Sequence, residues 1–150
     1  MAAALDEARA AAGHGDVPVG AVLVDGDGQI VAADHNRREE RSDPTAHAEM
    51  LVIRAACAEL ELDRLEGFDL YVTLEPCAMC AAAIAAARIG RLYYGASDPK
   101  SGGVAHGARV FRHPQSHHFP EVYDGIGAEQ SAILLRRFFA ARRGGGAAGN

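Results

Sequence analysis

The sequence predicts a single domain of the α/β class, in which helices pack against a mixed sheet. Strand-like and helix-like segments alternate in the order α-β-β-α-β-α-β, and a long loop and a last helix follow. The first two strands are joined by Asp25-Gly26-Asp27-Gly28, a sequence typical of a hairpin turn. The sheet is therefore expected to begin with an antiparallel pair. A chain of 150 residues is long enough to bury one core.

The first half of the chain shows four predicted elements. An alanine-rich helix over 5–12 is ended by a glycine, an almost wholly apolar strand covers 17–24, and a second strand returns over 29–34. Residues 42–45 combine a capping side chain with a proline, which predicts a helix start. Apolar residues at three- and four-residue spacing then predict a helix over about 46–62.

The second half begins with a strand over 69–74, which Glu75-Pro76 ends. A helix of small residues over 78–88 and a strand over 91–95 follow. The segment 97–120 contains three prolines and four histidines, so we expect a long loop with one short helical turn; a short strand after it is compatible with the sequence. An amphipathic helix over 128–143 closes the domain, which we place at 1–143. The Gly/Ala-rich segment 144–150 is expected to be disordered.

Composition limits the compartment and the partners. The chain is 49% hydrophobic and 23% charged, without an apolar run near the roughly 20 residues of a membrane helix. Residues 1–12 lack the pattern of a signal peptide. Three cysteines, an odd number, argue against a disulfide framework and for a reducing compartment, so we expect a cytoplasmic protein and no membrane partner. The net charge of −5 disfavours nucleic acid unless basic residues share one face.

Three side chains in two short stretches are good zinc ligands. His47 belongs to His-Ala-Glu and should lie in the first turn of its helix, while Cys77 and Cys80 belong to Pro-Cys-Ala-Met-Cys at the start of the next helix. A helix N-terminus favours the thiolate that a metal requires. Catalytic zinc takes three protein ligands and leaves its fourth position to water. Glu49, two residues from His47, is not needed as a ligand and could move protons to and from that water.

Other interpretations of these residues remain open at this point. The Cys-x-x-Cys pair could be a redox pair, or a structural zinc site completed by a fourth ligand. The candidates for that fourth ligand are His106, His113, His117 and His118. We favour catalytic zinc because Pro76 precedes Cys77 and because His-x-Glu followed by Pro-Cys-x-x-Cys resembles the signature of zinc-dependent nucleobase deaminases.

Longer stretches resemble the bacterial tRNA-specific adenosine deaminases, members of the cytidine deaminase-like superfamily. The resemblance covers about residues 2–143 and rests on the segments 17–22, 43–49, 73–80, 88–91, 95–102, 113–114, 117–118, 120–123 and 138–139, together with Asn36. It implies a three-layer α-β-α cytidine deaminase-like fold with a mixed five-stranded sheet in the order 2-1-3-4-5, as a homodimer. One Zn²⁺ per subunit would be held by His47, Cys77 and Cys80.

The resemblance also implies the reaction and the substrate contacts. Adenosine at the wobble position of a tRNA anticodon stem-loop would be hydrolysed to inosine with loss of ammonia, and no DNA substrate is expected. Glu49 would protonate the ring nitrogen and then the leaving amine. Asn36 would hydrogen-bond the base, and the Ala48 amide would help to hold it. Asp98 and Lys100 would contact the anticodon loop, while His113 and the last helix would flank the RNA.

Basic residues near the C-terminus offer a local surface for RNA on an acidic protein. Lys100 is the only lysine, and four arginines lie on the last helix at 136, 137, 142 and 143. An ordinary solvated helix face would have the same composition. The rival functions are deamination of a free base or nucleoside, guanine or cytosine, by the same zinc chemistry, and a zinc-stabilised RNA-binding module without catalysis. Of these alternatives, only the non-catalytic RNA-binding module gives Glu49 no role.

Overall fold

A five-stranded sheet with the order β2-β1-β3-β4-β5 is the central layer of the computed structural model, which describes residues 1–146. The strands are β1 (Gly20–Val24), β2 (Ile30–His35), β3 (Asp69–Leu74), β4 (Arg91–Ala96) and β5 (Glu121–Tyr123). The helices are α1 (Ala2–Gly13), α2 (Arg38–Arg41), α3 (Ala48–Leu60), α4 (Ala78–Ala86) and α5 (Ala128–Gly146), with a 3₁₀ turn at Val110–Arg112.

The sheet is mixed, as predicted. β1 pairs antiparallel with both β2 and β3, and the parallel pairs β3–β4 and β4–β5 complete it. The helices α1 and α5 cover one face, and α3 and α4 cover the other. The core lies mainly between the sheet and α3 and α4, with Leu23, Leu70 and Leu92 fully buried. The predicted three-layer α-β-α fold and its strand order are confirmed.

The start of α3 differs from the prediction. The side chain of Asp43 accepts hydrogen bonds from the backbone N–H and the hydroxyl of Thr45, both at 2.8 Å. This local turn ends before the helix, which begins at Ala48 with His47 as the flanking residue. His47 therefore precedes the first helical turn, and Glu49 lies within it. The polar segment before this turn also contains the short helix α2, which was not predicted.

Other boundaries move by a few residues. β1 begins at Gly20 instead of residue 17, because the chain around Pro18 turns and the N–H of Val19 bonds to the carbonyl of Val17. α4 ends at Ala86, just before Arg88 with its φ of +61°. α5 continues to Gly146, so the segment predicted as a tail begins inside the helix. Residues 147–150 lie outside the described part of the chain. Within residues 1–146, no helix combines the length and the apolar character needed to cross a membrane.

Close contact between α1 and β1 depends on Gly20. A Cβ atom built on Gly20 would collide with the carbonyl oxygen of Ala4 and would lie 2.5 Å from the backbone nitrogen of Ala8. Both obstacles belong to the backbone of α1 and cannot rotate away. The absence of a side chain at this position therefore sets the distance between the helix and the sheet.

We predict that Gly20→Ala lowers the free energy of unfolding by about 3 kcal/mol, at the upper end for overpacking, because α1 must move off the sheet. Gly26→Ala is the matched control, since a Cβ there would meet no atom within 4 Å, and it should change stability by less than about 1 kcal/mol. Urea unfolding of both variants checks this. Equal stabilities would contradict the packing argument.

Candidate active site

Two helix starts bring the predicted zinc ligands together. His47 directly precedes α3, and Cys77 directly precedes α4, with Cys80 one turn further on. α3 and α4 pack against each other on one face of the sheet, and β3 leads through Glu75 and Pro76 into α4. The two N-termini therefore lie side by side at the end of β3.

The three ligand atoms have the spacing that zinc requires. Nδ1 of His47 lies 3.6 Å from Sγ of Cys77 and 3.5 Å from Sγ of Cys80, and all three atoms are within 4.8 Å of one another. A tetrahedral ion with bonds of about 2.3 Å to sulfur and about 2.05 Å to nitrogen separates such ligands by about 3.6 Å. The donor set therefore fits zinc.

A fourth protein ligand is missing from this cluster within residues 1–146. Of the histidines that could have completed a structural site, His106 is bound to Glu75, at 2.8 Å, and His118 is bound to the carbonyl of Ile89, at 2.7 Å. Three ligands with one position left over are the arrangement of a catalytic zinc site.

Hydrogen bonds within the cluster favour the thiolate form of Cys77, which is the form that binds a metal cation. The bond from the Cys80 thiol lowers the pKa of Cys77 to about 4, with a further contribution from His47, although burial opposes the shift. The same bond, together with burial, raises the pKa of Cys80. The hydrogen bond with Cys77 raises the pKa of His47, and burial opposes part of that rise, with a smaller opposing contribution from the positive charge of Arg38.

Glu49 is buried beside the cluster, with only 4% of its surface exposed. Burial raises the pKa of its carboxyl group, and hydrogen bonds from its backbone amide and from Cys80 and the charge of His47 offset part of the shift. Glu49 lines the same cavity as His47 and Cys77. A carboxyl group whose pKa is raised in this way binds a proton more readily than an exposed carboxylate, which suits a group that takes up and returns protons.

These groups face a cavity of about 260 Å³. Its lining residues are Val17, Val19, Asn36, Arg38, His47, Glu49, Leu74, Glu75, Cys77, Asp98 and Ser101. Apolar side chains and a few polar groups share the walls, as is typical of a small-molecule site.

Asn36 and Ala48 are joined to each other. The Oδ1 atom of Asn36 accepts the backbone N–H of Ala48 at 2.9 Å, and Asn36 is 7% exposed. This bond fixes the orientation of the amide, because only its oxygen can accept. The Ala48 N–H is therefore committed to Asn36, while the Nδ2 group of Asn36 forms no hydrogen bond within residues 1–146 and remains available as a donor.

The loop residues predicted to meet RNA lie at the mouth of the cavity. Asp98 lines it, and its Oδ1 atom accepts the backbone N–H groups of Lys100 and Ser101 at 3.2 and 3.0 Å. Lys100 lines an adjoining groove of about 620 Å³, together with Arg136 and Arg143 of α5. The cavity and the groove share four lining residues, so they are continuous: Val17, Leu74, Asp98 and Ser101.

Other predicted residues lie elsewhere. His113 does not line the cavity; it lies in a separate groove of about 530 Å³ along α4, beside Ala82 and Ala86. Arg142 packs over the ring of Phe138 and donates to the carbonyl of Gly15 at 2.7 Å, which holds α5 in place.

Glu75 has a role that the sequence did not reveal. Its side chain is fully buried, and its oxygens accept five hydrogen bonds from the loop that follows β4. The donors are the backbone N–H groups of Asp98, Val104, Ala105 and His106, at 3.1 to 3.2 Å, and Nδ1 of His106, at 2.8 Å. Burial raises the pKa of Glu75, but the bonds from His106 and the amides outweigh it and lower the pKa overall.

His35 is a second residue whose role the sequence does not indicate. It is only 6% exposed at the end of β2, directly before Asn36. Nδ1 of His35 lies 2.7 Å from Glu7 of α1, and Nε2 lies 2.8 Å from Nε2 of His14. These contacts hold the backbone on which Asn36 is placed. A histidine in a polar stretch carries no signal of this burial.

We predict that Glu75→Gln loosens the loop, because an amide nitrogen would replace one acceptor oxygen and face N–H donors. In zinc-saturated protein, the amide hydrogens of Val104, Ala105 and His106 should exchange about 100-fold faster, as expected for losing hydrogen bonds to a buried charge. Glu66→Gln, at an exposed position, is the control and should leave this exchange unchanged. Native protection in Glu75→Gln would contradict the anchoring role.

Comparison with known proteins agrees with the geometry. The family described as the cytidine and deoxycytidylate deaminase zinc-binding region matches residues 1–96. A tRNA-specific adenosine deaminase of Agrobacterium fabrum is 57% identical over 138 residues, which cover 92% of this chain and 90% of that protein.

Solved structures separate two possible substrate classes. A structure from work on A-to-I editing by tRNA:A34 deaminases at the wobble position has a TM-score of 0.88 and 57% identity, and the match covers 90% of this chain and 97% of that one. A guanine deaminase from Bacillus subtilis has a TM-score of 0.62 and 31% identity, with 89% and 88% covered. The similarity is therefore much greater to the deaminase that acts on RNA.

Proposed function

The chain belongs to the family of tRNA-specific adenosine deaminases, and we propose that it converts the wobble adenosine of a tRNA anticodon to inosine. The observation that carries this proposal is a three-ligand metal cluster beside a buried glutamate, in a chain 57% identical to a tRNA-specific adenosine deaminase over nearly its whole length. Water is consumed and ammonia is released, so that the exocyclic amine is replaced by a carbonyl oxygen.

One zinc ion per subunit would be held by Nδ1 of His47 and by the sulfur atoms of Cys77 and Cys80. Zinc lowers the pKa of a bound water to near 7, which supplies a nucleophile at neutral pH. The spacing of the three ligand atoms supports this assignment. The proposed stoichiometry is supported by the presence of one Cys/His cluster in the described residues.

Glu49 is the proposed proton carrier. It would take one proton from the attacking water and deliver it to the ring nitrogen of adenine, and would then move the second proton, from the new hydroxyl group on carbon 6, to the amine that leaves as ammonia. Its burial next to Cys80 supports this role, because burial raises the pKa of the carboxyl group and so favours uptake of a proton.

Asn36 is the proposed base-binding residue. Its oxygen is occupied by the Ala48 N–H, so Nδ2 would donate to an acceptor atom of the base. Ala48 then acts by orienting Asn36. The cavity of about 260 Å³ supports entry of a single base that has been flipped out of the anticodon loop.

The RNA would extend from the cavity into the adjoining groove. Asp98 shapes the loop at the boundary, and Lys100, Arg136 and Arg143 would contact phosphates along the groove. These residues give an acidic protein a local positive surface. Any contact from His113 would be made outside the cavity, from the groove along α4.

The direct test is incubation of the zinc-loaded protein with an arginine tRNA anticodon stem-loop, free guanine or free cytidine. We expect inosine in the RNA and no ammonia from the free compounds. Ammonia from a free base alone would favour the rival deaminase.

Glu49→Ala should retain zinc and lose at least about 100-fold in turnover. An active, zinc-loaded Glu49→Ala protein would exclude the proposed proton carrier, and an inactive wild type would favour a non-catalytic RNA-binding module.

We also propose a cytoplasmic homodimer. Cytoplasm is supported by the substrate class and by three cysteines that are all free. Assembly is supported by the groove along α4, which exposes Ala82 and Ala86 and whose small side chains permit close approach. Sedimentation should give the mass of two chains. Ala82→Glu should shift the protein towards monomer, whereas Ala10→Glu, on the exposed side of α1, should not; a monomeric wild type would contradict the proposal.

A further inference from the structure

Arg38 is the only lysine or arginine among the described residues that line the catalytic cavity. It is the first residue of α2, two positions after Asn36, and its side chain is exposed. Its positive charge acts to lower the pKa of His47. Arg38 belongs to none of the sequence motifs described above and takes no part in the proposed proton transfers.

The neighbouring Arg37, in contrast, is held in ion pairs with nearby acidic side chains. Nε of Arg37 lies 2.7 Å from Asp34, and its guanidinium also lies 2.8 Å from Glu40. Arg38 forms no ion pair within 4.0 Å among residues 1–146. One arginine therefore stabilises the local fold, and the other keeps its charge free at the wall of the cavity.

The acids of the cavity do not neutralise Arg38. Glu75 is saturated by five donors from the loop, and Asp98 accepts two backbone N–H groups of its own loop. Glu49 is buried against Cys80. Each of these carboxyl groups has another partner, so the guanidinium remains available to an anionic ligand.

A nucleotide presented to this cavity brings anions to its mouth. When a base is flipped into a pocket, the phosphates on either side of its ribose stay outside. A guanidinium group can bind a phosphate through two parallel N–H donors. Lys100, Arg136 and Arg143 lie in the adjoining groove and not in the cavity, so they serve other parts of the RNA.

We propose that Arg38 binds a phosphate adjacent to the flipped adenosine and so positions the substrate strand over the cavity. This inference rests on the proposed function, because it requires an RNA substrate. It makes Arg38 a substrate-positioning residue, separate from the groups that move protons.

The test compares Arg38→Ala with Arg41→Ala, which removes the same charge from the same short helix at an exposed position that does not line the cavity. KM and kcat for the anticodon stem-loop are measured over a range of NaCl concentrations, with zinc content as a check on the site. We expect Arg38→Ala to raise KM about tenfold with kcat within twofold, as for a lost charge-assisted hydrogen bond. The slope of log KM against log salt should fall by about 0.7 to 1.

Arg38→Lys should recover the salt slope, because it restores the charge, but only part of the affinity, because an ammonium lacks the planar pair of donors. Wild-type behaviour of Arg38→Ala, or equal effects of Arg38→Ala and Arg41→Ala, would overturn the inference while leaving the deaminase assignment intact. A wild-type protein that does not act on the stem-loop would instead overturn the proposed function.

Discussion

The side-by-side placement of two helix N-termini is the constraint on which the rest of the site depends. Three ligand atoms at the starts of α3 and α4 come within 4.8 Å of one another because both helices pack on the same face of the sheet. The helix ends add a favourable field for thiolates and for the carboxylate of Glu49. Packing of the hydrophobic core thus determines the spacing of the metal ligands, so core stability and metal affinity are linked.

Basic side chains are concentrated in one groove of this acidic protein. A net charge of −5 coexists with a groove that gathers Lys100, Arg136 and Arg143 next to the cavity. Arg142 is adjacent in sequence to Arg143 but is used to hold α5 against the rest of the domain. A count of basic residues on a helix cannot distinguish an arginine that lines the groove from one that holds the helix in place. The distinction depends on which side of the helix packs against the domain.

Much of the fold and the zinc cluster could be predicted because the signals are local. The hairpin follows from its turn residues, β3 follows from an apolar run ended by proline, and ligand spacing identifies the cluster. The start of α3 was misplaced because Asp43 captures Thr45 in a turn that resembles a helix cap. Glu75 was overlooked because its partners lie 23 to 31 residues further along the chain and are mostly backbone amides. His35 was overlooked because its burial depends on α1.

The way in which Glu75 holds its loop affects how this fold can diversify. Four of its five hydrogen bonds come from main-chain N–H groups, which any residue except proline supplies. The side chains at positions 100 and 101 can therefore be exchanged without loss of these anchors, whereas the Asp98 side chain itself accepts two backbone N–H groups of the loop. Gly102 is different, because a Cβ there would collide with the Glu75 carboxylate. The loop thus combines a backbone that Glu75 holds in place with side chains at positions 100 and 101 that take no part in this anchoring, so these side chains can change while the metal centre is left intact.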